Sequence, residues 1–118
     1  MQDFRKLKVW ELSHELTLII YKTSQRFPKE EIYGLTSQLK RASSSIAINI
    51  AEGCGRGSSV DFGRFLQISM GSASETEYLL ILIKELGYFG DDGVYSDLNN
   101  RIAEIKKMLS SLIVKIKK

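Results

Sequence analysis

The residues with the widest chemical range in this chain are one histidine, one cysteine and a few carboxylates. Glu11-Leu12-Ser13-His14 has the Glu-x-x-His spacing with which a helix offers two ligands to one iron of a di-iron centre. Such a centre takes that pair from two helices, and His14 is the only histidine, so the second pair does not exist. His14 also falls almost opposite the main apolar stripe of its segment on a helical wheel. Cys54 and His14 would meet as nucleophile and base only by an accident of folding, and Cys54 is expected to be a small packed residue. Gly53-Cys54-Gly55-Arg56-Gly57-Ser58 precedes a helix start and carries Arg56, which suits an anion. It lacks the Gly-Lys-Ser/Thr ending of a P-loop and no strand leads into it, so it reads first as an interhelical loop. Glu52, Glu75 and Glu77 are possible acid/base partners, but pairing with an arginine such as Arg41 is the simpler role. No catalytic residue, metal or cofactor is expected.

The elements that must position these side chains are set off by three breaks. They fall at Arg26-Phe27-Pro28-Lys29-Glu30, at Gly53-Cys54-Gly55-Arg56-Gly57-Ser58-Ser59 and at Gly87-Tyr88-Phe89-Gly90-Asp91-Asp92-Gly93. The segments between them are too long for strands and suit helices. Apolar spacing agrees. Leu98, Ile102, Ile105, Leu109, Leu112 and Ile116 form one narrow stripe on the fourth segment. The first segment offers Val9, Leu12, Leu16, Ile19, Ile20, Thr23 and Phe27. The second offers Leu35, Leu39, Ala42, Ile46, Ile50 and Gly53, and the third Phe62, Leu66, Ser69, Ala73, Thr76, Leu80 and Ile83. Ser58-x-x-Asp61 resembles a capping box. Asp91 or Asp92 suits the N-cap of the fourth helix. Gly87 suits a left-handed residue after the third, and Pro28 suits the start of the second, with Gly34 leaving a break soon afterwards as the alternative. Short connections make successive helices antiparallel, so the prediction is an all-α, up-down-up-down four-helix bundle forming one domain over 1–118. Leu16, Leu39, Ile46, Leu66, Leu80, Ile105 and Leu109 are its predicted core. Small residues cluster at Ala42, Ser43, Ser44, Ser45 and Ala47 and at Ser69, Gly71, Ser72, Ala73 and Ser74. They predict close packing of the second and third helices, with a ligand or partner helix as the alternative.

Composition sets outer limits. The 118 residues, 43% of them hydrophobic, exclude wholesale disorder, and a single cysteine excludes an intramolecular disulfide framework. No apolar run is long enough to span a bilayer, and Met1-Gln2-Asp3-Phe4-Arg5-Lys6 lacks a signal peptide's apolar stretch, so a cytoplasmic protein without membrane contact is expected. The first helix carries a second stripe, Leu7, Trp10, His14, Leu18 and Tyr21, roughly opposite its first. One buried stripe is enough for a bundle helix, and solvated Trp10, Leu18 and Tyr21 would form an unusual apolar patch. Self-association through these five residues is expected, the alternative being a cover formed by Phe4 or Tyr88-Phe89.

Four stretches carry a family resemblance: Asp3-Phe4-Arg5-Lys6-Leu7-Lys8-Val9-Trp10; Phe27 to Ala42, reading FPKEEIYGLTSQLKRA; Ser45 to Gly53, reading SIAINIAEG; and Phe65 to Glu75, reading FLQISMGSASE. They resemble the bacterial four-helix-bundle proteins encoded in intervening sequences of large-subunit ribosomal RNA genes. Those are related to the accessory variability determinant proteins of diversity-generating retroelements. The resemblance runs from about Asp3 to Phe89. It implies a bundle assembling as a ring, typically a homopentamer, without enzymatic activity. For the retroelement branch it implies binding to nucleic acid, RNA or DNA, and to a reverse transcriptase. The expected function is therefore a non-catalytic oligomeric scaffold binding nucleic acid, RNA first, through basic residues. The alternative is a protein-binding adaptor ring, for instance for a reverse transcriptase. Lys40, Arg41, Arg56 and Arg64, around the junction of the second and third helices, are the expected contacts, with Arg56 foremost. The net charge is +3.

Overall fold

The computed structural model describes residues 2–117. Four α-helices follow one another: α1 (Lys8–Ser24), α2 (Leu35–Cys54), α3 (Ser59–Glu85) and α4 (Asp92–Lys117). Each packs against its sequence neighbours, and α1 closes the bundle against α4. The up-down-up-down bundle stands as predicted. It is an elongated body of 43 × 23 × 20 Å.

The ends obey the local chemistry. The Ser58 hydroxyl accepts from the Asp61 N–H at 3.1 Å and starts α3. Asp91 accepts from the Gly93 N–H at 2.8 Å at the start of α4. After α3, Gly87 has φ +78°. The Tyr88 N–H reaches the Ile83 carbonyl and the Gly87 N–H the Lys84 carbonyl, the two bonds of a Schellman motif. Pro28 does not start α2, and the break at Gly34 stands. The proline precedes a short 3-10 turn over Lys29–Glu31, and α2 begins only at Leu35. The Glu31 carboxylate accepts from the Leu35 N–H at 3.2 Å and from the Tyr88 hydroxyl at 3.0 Å. A carboxylate at a helix start meets the unpaired N–H groups there. The Tyr88 hydroxyl, donating to that carboxylate, is held above its ordinary pKa.

All seven predicted core residues are buried, as is every residue of the predicted α3 stripe. The α4 stripe drifts. Leu98, Ile102, Ile105 and Leu109 are buried, but the next buried position is Ile113, with Leu112 and Ile116 only partly covered. Steps alternating 4 and 3 advance 3.5 residues per turn, whereas a straight helix turns every 3.6, so the buried line shifts along the sequence.

Candidate functional site

Of the small residues, Ser45, Ser69 and Ser72 join α2 to α3, whereas Ser44 and Ala47 face α1 and Gly71 and Ser74 are exposed. Ser69 donates to the Ile46 carbonyl at 2.8 Å, and Ser72 to the Ser45 hydroxyl at 2.9 Å. Asn49 donates to the Ser45 carbonyl at 2.8 Å. A Cβ at Gly53 would stand 2.9 Å from Phe65 Cβ and 3.0 Å from Phe62 Cδ1, so only glycine allows this approach. Cys54 is buried beside it. Burial, with the Asp3 carboxylate adding to it, pushes its thiol above the ordinary value, which keeps it protonated and unreactive. Among the described residues no cluster of His, Cys, Asp or Glu is grouped to hold a metal ion. Glu52 pairs with Arg56 at 2.9 Å, and Glu77 with Lys106 of α4 at 2.9 Å, so neither carboxylate is paired with another.

The second stripe of α1 divides in three. Leu7 precedes the helix in extended conformation and turns toward α4, so it does not share the helical wheel of the others. Trp10 is partly covered by Phe4, ring centroids 5.0 Å apart and edge-on, and stacks on His14 at 5.0 Å with planes 8° apart. Tyr88 and Phe89 cover Phe27 instead of this stripe. Leu18 remains 57% and Tyr21 44% exposed. Beside Trp10 and His14 runs a shallow groove of about 240 Å³, floored by Thr17 and by Ser44, Ala47 and Ala51 of α2, with exposed Ile48 on its rim. The outer α1–α2 surface is thus apolar toward the start of α1.

The four expected nucleic-acid contacts do not form one patch. Lys40 and Arg41 lie in the first two turns of α2, whereas Arg56 follows its last residue, roughly 20 Å further along the axis at 1.5 Å per residue. Arg56 and Arg64 both lie over the Phe65 ring, at 4.9 and 4.8 Å. Each also has its own carboxylate, Glu52 at 2.9 Å and Asp61 at 3.7 Å. Lys40 instead rests on the Tyr21 ring at 4.9 Å. Arg41 is exposed, and among the described residues it has no carboxylate within 4 Å, neither Glu52 nor Glu75.

Around Lys40 and Arg41 lies a cationic region that sequence spacing did not single out. Between Leu16 and Ser44 the cations are Lys22, Arg26, Lys29, Lys40 and Arg41, against Glu30 and Glu31. None of the five is ion-paired among the described residues, whereas Arg5, Lys8, Arg56, Arg64, Arg101 and Lys106 all are. Across the bundle at the same end, Ala73–Glu104 carries seven acids against Lys84 and Arg101. The signal was the charge difference between helix halves, which appears only once antiparallel packing shows which halves share an end.

A second groove, of about 380 Å³, runs between the start of α1 and the end of α4. Leu7, Val9, Met108 and Leu112 line it, with Lys8, Lys107 and Lys115 at its edges. Among the described residues no helix is long and apolar enough to cross a membrane.

A family model described as 23S rRNA-intervening sequence protein matches residues 5–111. The chain is also similar to a solved structure from Bacteroides thetaiotaomicron VPI-5482, described as a protein of unknown function from the S23 ribosomal protein family. The two are 32% identical, with a TM-score of 0.81, over 89% of this chain and 94% of that one. No curated protein matches the chain.

Proposed function

The chain belongs to the 23S rRNA-intervening sequence protein family, and from that membership we propose a non-catalytic, self-associating scaffold that binds nucleic acid, RNA first. The observation that carries the reading is the unpaired cationic region of Lys22, Arg26, Lys29, Lys40 and Arg41. Cations held in intramolecular ion pairs are partly neutralised before a ligand arrives, whereas unpaired ones are free to displace counterions from phosphates. The site therefore centres on Lys40 and Arg41, with Arg56 and Arg64 secondary. Self-association uses the Trp10–His14–Ile48 surface, where aromatic and small residues offer an apolar face. A pentamer is the expected assembly, and repetition of the cationic region around a ring strengthens a weak monomeric site.

A second reading, an adaptor for a protein such as a reverse transcriptase, is favoured by the α1–α4 groove. Its apolar floor and lysine edges suit an amphipathic segment with acidic flanks.

Two measurements test the proposal. Light scattering at tens of micromolar is expected to show an oligomer for the wild type and a smaller species for Trp10→Glu. Titration with single-stranded RNA at several salt concentrations is expected to give a log K against log salt slope that falls by ~0.7 in Arg41→Ala. The slope is expected to change less in Arg56→Ala. A monomeric wild type would end the scaffold reading. No binding at low salt would end the nucleic-acid reading and leave the adaptor.

A further inference from the structure

Tyr33 is 97% exposed, the most exposed of the large hydrophobic side chains, and Ile32 beside it is 49% exposed. Scattered apolar residues at a surface are ordinary, but this ring is mounted on a turn that is fixed by hydrogen bonds. The Glu31 N–H donates to the Pro28 carbonyl, the Ile32 N–H to the Lys29 carbonyl and the Gly34 N–H to the Glu31 carbonyl, at 3.0 to 3.2 Å. The Glu31 side chain then ties the turn to α2 through the Leu35 N–H and to the chain after α3 through the Tyr88 hydroxyl. The fold therefore presents an aromatic face to solvent from an ordered support.

The surroundings show what that face suits. Lys29 lies in the same turn, and Arg41 is six residues into α2 from Leu35, about 9 Å along the axis. Both are cations without an ion-pair partner among the described residues. A second exposed aromatic, Tyr21, carries Lys40 on its ring at 4.9 Å. Aromatic faces interleaved with free cations are the elements by which proteins hold single strands, the rings stacking on bases and the cations following the phosphates. A duplex offers no such partner, because its bases are stacked on one another.

We infer that Tyr33 is a stacking platform for a base of single-stranded nucleic acid, with Lys29 and Arg41 holding the adjoining phosphates. This rests on the nucleic-acid reading above and adds to it a residue, a contact type and a preference for unpaired strands. Stacking is indifferent to salt, whereas phosphate contacts are not, so the two contributions separate in one experiment.

The test uses the full chain and three labelled probes of equal length: oligouridylate, the same backbone without bases, and an RNA duplex. Each is titrated at several salt concentrations against wild type, Tyr33→Ala, Tyr33→Phe and Arg41→Ala. The ring makes no buried contact, so its removal leaves the fold intact. Tyr33→Ala is expected to weaken oligouridylate binding about 5- to 150-fold with an unchanged salt slope. Tyr33→Phe is expected to keep wild-type affinity, and the abasic probe to be indifferent to residue 33. Equal affinity of wild type and Tyr33→Ala for oligouridylate, with Arg41→Ala still lowering the slope, would overturn the stacking inference and leave the nucleic-acid reading standing. Failure of the wild type to bind any probe at low salt would overturn both.

Discussion

The two faces of α2 carry different side chains and put them to opposite uses. On the inner face Leu39, Ala42, Ser43, Ile46, Ile50 and Gly53 are buried. Their polar groups are tied into the bundle, Ser43 through its carbonyl, which accepts from the Thr17 hydroxyl of α1 at 3.2 Å, and Ser45 through Ser72. Among the described residues the one buried side-chain oxygen without a partner is that of Thr36. On the outer face Arg41 and Ile48 have no such partners, and Ile48 is 57% exposed. Apart from Thr36, stability accounts for the inner face, and it accounts for the outer face hardly at all. Interaction with something outside the chain is therefore best sought where folding leaves apolar and charged groups unanswered.

That contrast is open to direct attack. Ile46→Ala on the inner face is expected to cost ~2–5 kcal/mol in denaturant unfolding, from lost burial and a residual cavity. The matching outer change, Ile48→Ser, is expected to stay within ~0.5 kcal/mol. Similar costs at the two positions would erase the distinction. Next, Gly53→Ala tests the close approach of α2 and α3. Its Cβ would meet Phe65 Cβ and Phe62, and overpacking of this kind costs ~1–3 kcal/mol. A gain in stability, as helix propensity alone would give, would show that the seam is able to open. The smallest effect concerns Cys54. Its thiol is held above the ordinary value, so the neutral form stabilises the fold fully below the unfolded thiol pKa of about 8.5. That contribution is lost as pH rises through the higher folded value. Wild-type stability is expected to fall more steeply above about pH 8.5 than that of Cys54→Ala, and parallel curves would show the thiol to be accessible.

Most of the fold was legible because its code is local. Gly87, Ser58 and Asp91 mark helix ends through contacts within a few residues, and the apolar stripe of α3 reports a burial pattern repeated each turn. The 3-10 turns at Phe4–Lys6 and Lys29–Glu31 were not legible, since the second is completed by Tyr88, distant in sequence. The candidate site was legible only in part. Lys40 and Arg41 were visible as a pair, but separating them from Arg56 and Arg64 required knowing which carboxylates stand nearby. Glu52 is one turn from Arg56, and Asp61 nearly one turn from Arg64, which is spacing that sequence does contain. The prominence of Tyr33 was invisible, because nothing in the order of residues distinguishes a tyrosine that packs from one that projects.

Trp10 is the only tryptophan in the chain, and it lies between Phe4 and His14 at the rim of the outer groove. The molecule therefore has a built-in optical probe at the surface proposed for self-association. Ultraviolet emission excited at the indole comes from this one place, without a second fluorophore of the same kind in the core to mask it. Anything that covers the groove or lifts Phe4 from the indole changes the surroundings of the emitter. The proposed assembly can thus be tested in unlabelled protein, and a nucleic acid binding near Tyr33 and Arg41, as proposed, would be distinguished from one that reaches the outer groove.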